Sequence, residues 1–93
     1  MRTIKIGPLV YTIKEDYPIF DEKGELLYGK ISYEAGEITV SSRASWALKN
    51  VILWHEILHG IISQTALEIA NEEQVVEALS HGIVQVLQDN EEI

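Results

Sequence analysis

The sequence is organised around residues 44–62, which read ASWALKNVILWHEILHGII. Apolar residues recur there every three or four positions, which is the period of an α-helix. Because these residues cover most of the helix circumference, we expect a buried helix rather than a surface one. The hydroxyl groups of Ser41-Ser42 can cap a helix, so the pattern predicts a helix that begins just after them and continues to about Gln64.

A second helix is predicted over residues 72–88, after a short connection. Asn71 is followed three residues later by Gln74, which is a variant of the capping box that opens many helices. The apolar positions of this segment again have helical spacing. They are Val75, Val76, Leu79, Ile83, Val86 and Leu87.

The residues before the helices alternate between apolar and polar, as strands do. Residues 3–14 predict one strand with a bend at Gly7-Pro8, and residues 15–25 predict a loop because they are rich in turn-forming residues. The segments Leu26–Tyr33 and Glu37–Val40 flank a glycine and therefore predict a β-hairpin.

Together these segments predict one α+β domain over residues 1–93. Its expected architecture is a three-stranded antiparallel sheet or hairpin followed by two packed helices, in the order β-β-β-α-α. A chain of this length supports a single small core.

The first helix contains His55-Glu56-Ile57-Leu58-His59, which is an H-E-x-x-H motif. Residues four apart lie one above the other on a helix, so the two imidazoles can reach the same metal ion. Glu56 is rotated by about 100° from His55 and can approach a metal-bound water without displacing a ligand. The motif therefore predicts His55 and His59 as zinc ligands and Glu56 as general base.

A catalytic zinc site needs a third protein ligand, and without cysteine the acids of the second helix are the candidates. If the helices are antiparallel with level ends, Glu77 lies about 9 Å into the second helix and close to the level of the histidines. We therefore predict Glu77 as the third metal ligand, with Glu73 second because it lies one turn earlier on the same face. Glu72 and Glu73 are expected to favour the helix N-terminus electrostatically, and Glu68 to lie in the connection.

The motif His55-Glu56-x-x-His59 followed by Glu77-Ala78-Leu79-Ser80-His81 resembles the gluzincin metallopeptidases. Within that group the chain is most similar to small ImmA/IrrE-type enzymes of phages and mobile elements. The resemblance covers residues 31–88 and implies a small zincin-like domain with zinc held by His55, His59 and Glu77. It also implies that the strand Glu37–Val40 is the edge strand along which a peptide lies, and that the substrate is a repressor-like protein.

Two features depart from that family pattern. His81 stands where an Asp or Asn is usual, and its position four residues after Glu77 predicts a hydrogen bond to that carboxylate. The helix that larger members carry before the sheet is not recognisable. Four tyrosines are candidates for polarising a scissile carbonyl, and the sequence does not choose among them. They are Tyr11, Tyr17, Tyr28 and Tyr33.

The charge of the chain is strongly asymmetric. The formal net charge is −8, and no Lys or Arg follows Lys49, whereas eight acids do. A surface of this kind is unsuited to nucleic acid or anionic lipid, so we expect neither as a partner. It favours a protein or peptide partner with a basic segment. The absence of cysteine and of a signal-peptide pattern predicts a cytoplasmic protein.

These observations predict a zinc-dependent metallopeptidase that hydrolyses peptide bonds. The alternative is a metal-stabilised protein-interaction module that has the site but little or no activity, which would suit a small core. A third hypothesis is that an oligomer or a fused partner completes the substrate cleft. Zinc is expected from the ligand types, and manganese, cobalt or iron remain alternatives.

Overall fold

The computed structural model describes residues 2–92, which form six strands followed by two helices. In chain order these elements are β1 (Arg2–Ile6), β2 (Leu9–Asp16), β3 (Ile19–Phe20), β4 (Leu26–Leu27), β5 (Gly29–Ser32), β6 (Glu37–Ser41), α1 (Trp46–Thr65) and α2 (Glu72–Asp89). The predicted α+β class and the order of strands before helices are confirmed. The predicted three-stranded antiparallel sheet is wrong, because the main sheet has four strands in the mixed order β1-β2-β6-β5.

Gly7 explains why residues 3–14 form two strands instead of one. Its φ of +57° and the following Pro8 reverse the chain, so that Ile6 pairs with Leu9 in an antiparallel hairpin. A residue with a side chain disfavours that backbone conformation, whereas glycine adopts it readily. The expected bend is therefore a complete turn, and it adds a strand to the sheet.

The parallel pair in the sheet arises from the long connection between β2 and β6. Residues 17–36 include the two-stranded β3–β4 ribbon and β5, and they return the chain to the end of the sheet where β2 began. As a result β6 runs in the same direction as β2, with Ile13 opposite Ile38. The predicted loop over residues 15–25 contains the end of β2 and the strand β3. Asp21 closes the tip of this segment, because its Oδ1 accepts hydrogen bonds from the Lys23 and Glu25 backbone N–H groups at 2.8 Å.

The predicted hairpin between β5 and β6 is present, with Gly36 at a φ of +65° in its turn. The expectation that Glu37–Val40 is an edge strand is wrong, because β6 lies between β2 and β5. The hairpin places β5 on the outside, so β5 is the edge strand on this side of the sheet.

Helix α1 begins later than predicted. Its N-cap is Ser45, whose Oγ accepts a hydrogen bond from the Leu48 N–H at 3.2 Å, whereas Ser41 is buried in β6. The strand continues one residue further than its alternation indicated, which delays the helix. Gly60 then lets α1 lie close to the sheet, since a Cβ there would be 2.9 Å from the Ile6 side chain.

Helix α2 packs against α1 through Val76, Ser80 and Val84, which are buried and spaced one turn apart. The predicted capping box is wrong, because Asn71 has a left-handed backbone conformation (φ +58°) and its side chain makes no cap hydrogen bond. Glu72 lies beside His59 and Glu77 beside His55, so the two helices are antiparallel. Within residues 2–92, neither helix has both the length and the apolar composition needed to cross a membrane.

Candidate metal centre

His55 and His59 lie one turn apart on α1 and face α2. Their Nε2 atoms are 3.2 Å apart and their ring centroids 4.9 Å apart, with the ring planes inclined at 62°. Both side chains are half-buried between the helices. The i, i+4 spacing of the motif therefore brings one nitrogen from each ring to the same point.

Glu73 is the acid that reaches this point. Its Oε1 is 2.6 Å from His55 Nε2, and its Oε2 is 2.9 Å from His59 Nε2. One ligand atom from each of His55, His59 and Glu73 lies within 4.8 Å of the other two. Glu77, which the sequence favoured as third ligand, is not part of this group, and Glu73, the second choice, is.

The position of Glu73 follows from the path of residues 66–71. The prediction of Glu77 assumed that α1 ends and α2 begins at the same level, which puts the second turn of α2 beside the histidines. In the structure Glu72 already contacts His59, six residues before the end of α1. The connection therefore runs back along α1, and the first turn of α2 meets the motif.

The outer nitrogens of both rings are held by carboxylates. His59 Nδ1 is 2.7 Å from Glu72 Oε2, and His55 Nδ1 is 3.0 Å from Glu77 Oε2. The other oxygen of Glu77 is 3.1 Å from His81 Nε2, which is the predicted contact between these two residues. Carboxylates in this position fix the orientation and tautomer of histidines that bind metals.

The position of the ring proton on each imidazole determines whether the centre can bind a cation. In the tautomer that carries the ring proton on Nδ1, beside the carboxylate, each Nε2 atom has a lone pair and no proton. These two lone pairs and the Glu73 carboxylate then converge on one another, with the two nitrogens only 3.2 Å apart. A cation placed among three converging acceptors satisfies all of them at once. The residues present therefore fit a metal ion.

Glu56 lies beside this group and lines the same cleft. Only 8% of the Glu56 residue is exposed to solvent, and it follows His55 directly in the chain. Burial raises the pKa of the Glu56 carboxyl, the imidazoles of His55 and His59 act in the opposite direction, and the Glu73 carboxylate raises this pKa further. A carboxylate with a raised pKa accepts a proton more readily than an ordinary glutamate does.

The centre opens into a cleft of about 630 Å³ between α1 and the sheet edge. One wall is the segment from β4 through β5, including Tyr28 and Gly29, and the opposite wall is α1 with Leu48 and Ile52. A Cβ at Gly29 would overlap the Ile52 side chain and lie 3.2 Å from Glu56 Oε2, so glycine permits this close approach. The edge strand β5 therefore lies directly beside the candidate general base.

Two of the four candidate tyrosines lie near the centre. Tyr28 lines the cleft, and Tyr33 donates a long hydrogen bond of 3.4 Å to the backbone oxygen of His59. Burial raises the pKa of the Tyr33 hydroxyl, the hydrogen bond to Ser63 lowers it, and Glu72 raises it. Tyr11 is buried in the core, and Tyr17 lies under the Arg43 guanidinium at 4.6 Å.

Sequence reasoning missed the role of Glu72 and ranked Glu73 second. Glu73 and Glu77 share the i, i+4 spacing of His55 and His59, which indicates that both acids face the motif but does not choose between them as third ligand. Two antiparallel helices with matching spacings place two carboxylates opposite two imidazoles. Glu72, which adjoins Glu73, then reaches the outer nitrogen of the second ring.

Searches of protein-family models, curated proteins and solved structures gave no match to this chain.

Proposed function

We propose that this chain is a zinc-dependent metallopeptidase in which His55, His59 and Glu73 hold the metal and Glu56 is the general base. The observation that carries the proposal is the convergence of the His55 and His59 Nε2 atoms and the Glu73 carboxylate at one point of a cleft that a largely buried glutamate, Glu56, also lines. The resemblance of the H-E-x-x-H segment to gluzincins agrees with it.

The donor set supports zinc as the metal. Two imidazole nitrogens and one carboxylate oxygen are ligands that catalytic zinc uses, and three protein ligands leave a position free. A bound zinc ion supplies Lewis acidity, which polarises a peptide carbonyl and lowers the pKa of water to about 7. Glu77 and Glu72 hold the two imidazoles in the tautomer that presents Nε2 to the metal.

Glu56 performs the proton transfers in this proposal. Its carboxylate takes a proton from the attacking water and passes it to the amine that leaves. The apolar wall of α1 around Ile52 limits access of bulk water to this carboxylate. The raised pKa of Glu56 means that the protonated carboxyl is an accessible state between the two transfers.

The substrate in this proposal is a peptide segment in extended conformation. The outer edge of β5 is unpaired in the described part of the chain, and its residues Gly29, Lys30 and Ile31 line the cleft. Such an edge can add a further strand through main-chain hydrogen bonds. The acids around the centre favour a substrate with a basic segment, and the family resemblance adds a repressor-like protein as the candidate.

A second candidate function is a metal-stabilised interaction module with little or no peptidase activity. The observation in its favour is that the centre joins α1 to α2, while α2 buries only Val76, Ser80 and Val84 in the described structure. A metal bound between the helices would therefore contribute much of the free energy that holds α2 against α1.

Metal binding is tested with a matched pair of variants, Glu73→Gln and Glu77→Gln, which make the same change one helical turn apart. Zinc affinity of untagged protein, measured by competition with a chromophoric chelator, should fall most in Glu73→Gln. In Glu77→Gln, where only the orienting contact to His55 is lost, it should fall by about 10–100-fold. If Glu77→Gln loses more affinity than Glu73→Gln, Glu77 is the ligand.

Catalysis is tested with a proteome-derived peptide mixture incubated with the zinc-loaded protein, and new N-termini are identified by mass spectrometry. Wild type should generate them and Glu56→Gln should not, although both retain zinc. A wild type that holds zinc and produces no more termini than Glu56→Gln refutes the peptidase and favours the interaction module.

A further inference from the structure

A second groove lies between the start of α1 and the end of α2. It has a volume of about 670 Å³ and is lined by Trp46 and Trp54 of α1 and by Val84 and Leu87 of α2, with Glu91 at its rim. None of its lining residues lines the catalytic cleft. We call this cavity the tryptophan groove.

The tryptophan groove leaves large apolar side chains exposed to solvent. Trp46 is 74% exposed although tryptophan is usually well covered, and Leu87 beside it is 37% exposed. Trp54 is half-buried and forms the floor between the two helices. Contiguous exposed apolar surface with a polar rim is typical of interaction sites, and tryptophan is prominent among residues that dominate binding energy.

The charge around the groove specifies the occupant. Helix α2 ends beside this groove without a basic residue in its last turn. Glu91 lines the groove, and Asp89 and Glu92 line a neighbouring cavity that shares Glu91 with it. The partial negative charge at the C-terminus of α2 is opposed by the partial positive charge at the N-terminus of α1, which also lines the groove, so the acidic side chains set the sign of the field there. No Lys or Arg among residues 2–92 lines the groove, and Lys49, which lies in the same turn of α1, is paired with Glu15 at 2.7 Å. An occupant that brings Lys or Arg would supply the missing counter-charge.

The same charges argue against a second copy of the chain as the occupant. Two copies facing each other through this groove would bring two sets of these acids together, on chains that each carry a net charge of −8. Like charges opposed across an interface are unfavourable. Nucleic acid and anionic membranes are disfavoured for the same reason.

We propose that the tryptophan groove binds an amphipathic helix of a partner protein that presents large apolar side chains one turn apart and carries flanking Lys or Arg. Trp46 and Trp54 are eight residues apart on α1, which corresponds to about 12 Å or about two helical turns. A groove between two helices that is two turns long matches the helix-in-groove mode of recognition. This inference goes beyond the proposed function because no residue of the metal centre takes part.

The test uses a phage-displayed library of a stable helical scaffold with one randomised face, selected against the full chain. Selected clones are expected to carry apolar residues at i and i+4 with Lys or Arg beside them. As synthetic peptides they should change the tryptophan fluorescence of the chain, and their affinity should fall about tenfold or more in Trp46→Ala. The matched control is Phe20→Ala, which removes a 51% exposed aromatic on β3 and should leave the affinity unchanged.

The preference of the groove for a cationic partner is tested separately. Affinity of the selected peptides should fall in a Glu91→Gln/Glu92→Gln double variant and between about 50 and 300 mM NaCl. The proposal is overturned if no clone is enriched, if uncharged or acidic clones bind equally well, or if Trp46→Ala binds like wild type. A dimer in sedimentation that Trp46→Ala dissociates would also overturn it, by making a second copy the occupant.

Discussion

If the proposed centre holds zinc, removal of that zinc should lower the thermal stability of this protein by an unusually large amount. The centre joins the first turn of α2 to the middle of α1, and only three residues of α2 are buried. At free zinc about a thousand times the dissociation constant, binding contributes about 4 kcal/mol to the free energy of unfolding. A domain of this size gains about 4–8 °C per kcal/mol, so the melting temperature should rise by about 16–33 °C on loading.

The assay is thermal unfolding followed by circular dichroism in zinc buffers that fix the free metal concentration. Above the dissociation constant, each tenfold increase in free zinc should add about 1.4 kcal/mol and therefore about 6–11 °C. Glu73→Gln should abolish most of this dependence. The matched control is Glu68→Gln, which makes the same change at an exposed residue of the connection and should unfold like wild type.

The proposed metal link between α1 and α2 would be refuted by a wild-type melting temperature that does not change with free zinc over the range in which chelator competition shows binding. It would also be refuted by a Glu68→Gln variant that loses the dependence to the same extent as Glu73→Gln. In either case the metal would not be joining α1 to α2 through Glu73.

Three further predictions concern single side chains. Glu56→Gln should raise the free energy of unfolding of the metal-free protein at about pH 7.5 but not at about pH 4. Burial raises the pKa of this carboxyl above its ordinary value of 4.5, so its favourable contribution is present below pH 4.5 and is lost as the pH rises through the folded pKa. Urea unfolding at both pH values measures this, and an equal effect at both would contradict it. Gly29→Ala should lower the free energy of unfolding by about 1–3 kcal/mol, because the new Cβ overlaps the Ile52 side chain; an unchanged urea midpoint would show that β5 can move away. Ser45→Ala should cost about 1 kcal/mol through loss of the N-cap hydrogen bond, whereas Ser42→Ala, at the position first expected to cap the helix, should cost none. Equal losses in the two serine variants would place the start of α1 elsewhere.

The helices were the most predictable part of the fold, because a long apolar pattern of period 3.6 has no strand equivalent. Their starts were not predictable to the same degree. Serines occur at positions 41, 42 and 45, and only the register of β6 decides that Ser45 is the cap. The strand order was beyond the sequence pattern, since a glycine that bends a strand and a glycine that reverses the chain look the same until their φ angles are known.

In the candidate centre, the part that lies on one helix was predictable and the part that joins two helices was not. The spacing of His55 and His59 fixes their relation whatever surrounds them. The third ligand depends on how far residues 66–71 shift α2 along α1, and a shift of one turn exchanges Glu77 for Glu73. Nothing in the composition of that connection specifies the shift, so geometry alone could not have chosen between them.

The acidity of the C-terminal half has two separate physical explanations. Four of the eight acids surround the candidate centre, where three contact the imidazoles, Glu56 lies beside them, and the proposed cation would offset their charge. Three others lie at the end of α2 or just beyond it. The nearest, Asp89, is sixteen residues and therefore about 24 Å along the helix from Glu73, too far for a metal ion to neutralise it in physiological salt. A metal accounts for the first group but leaves the second uncompensated. The negative field at the tryptophan groove therefore persists when the centre is loaded with metal. The charge that balances it has to come from a partner with Lys or Arg side chains.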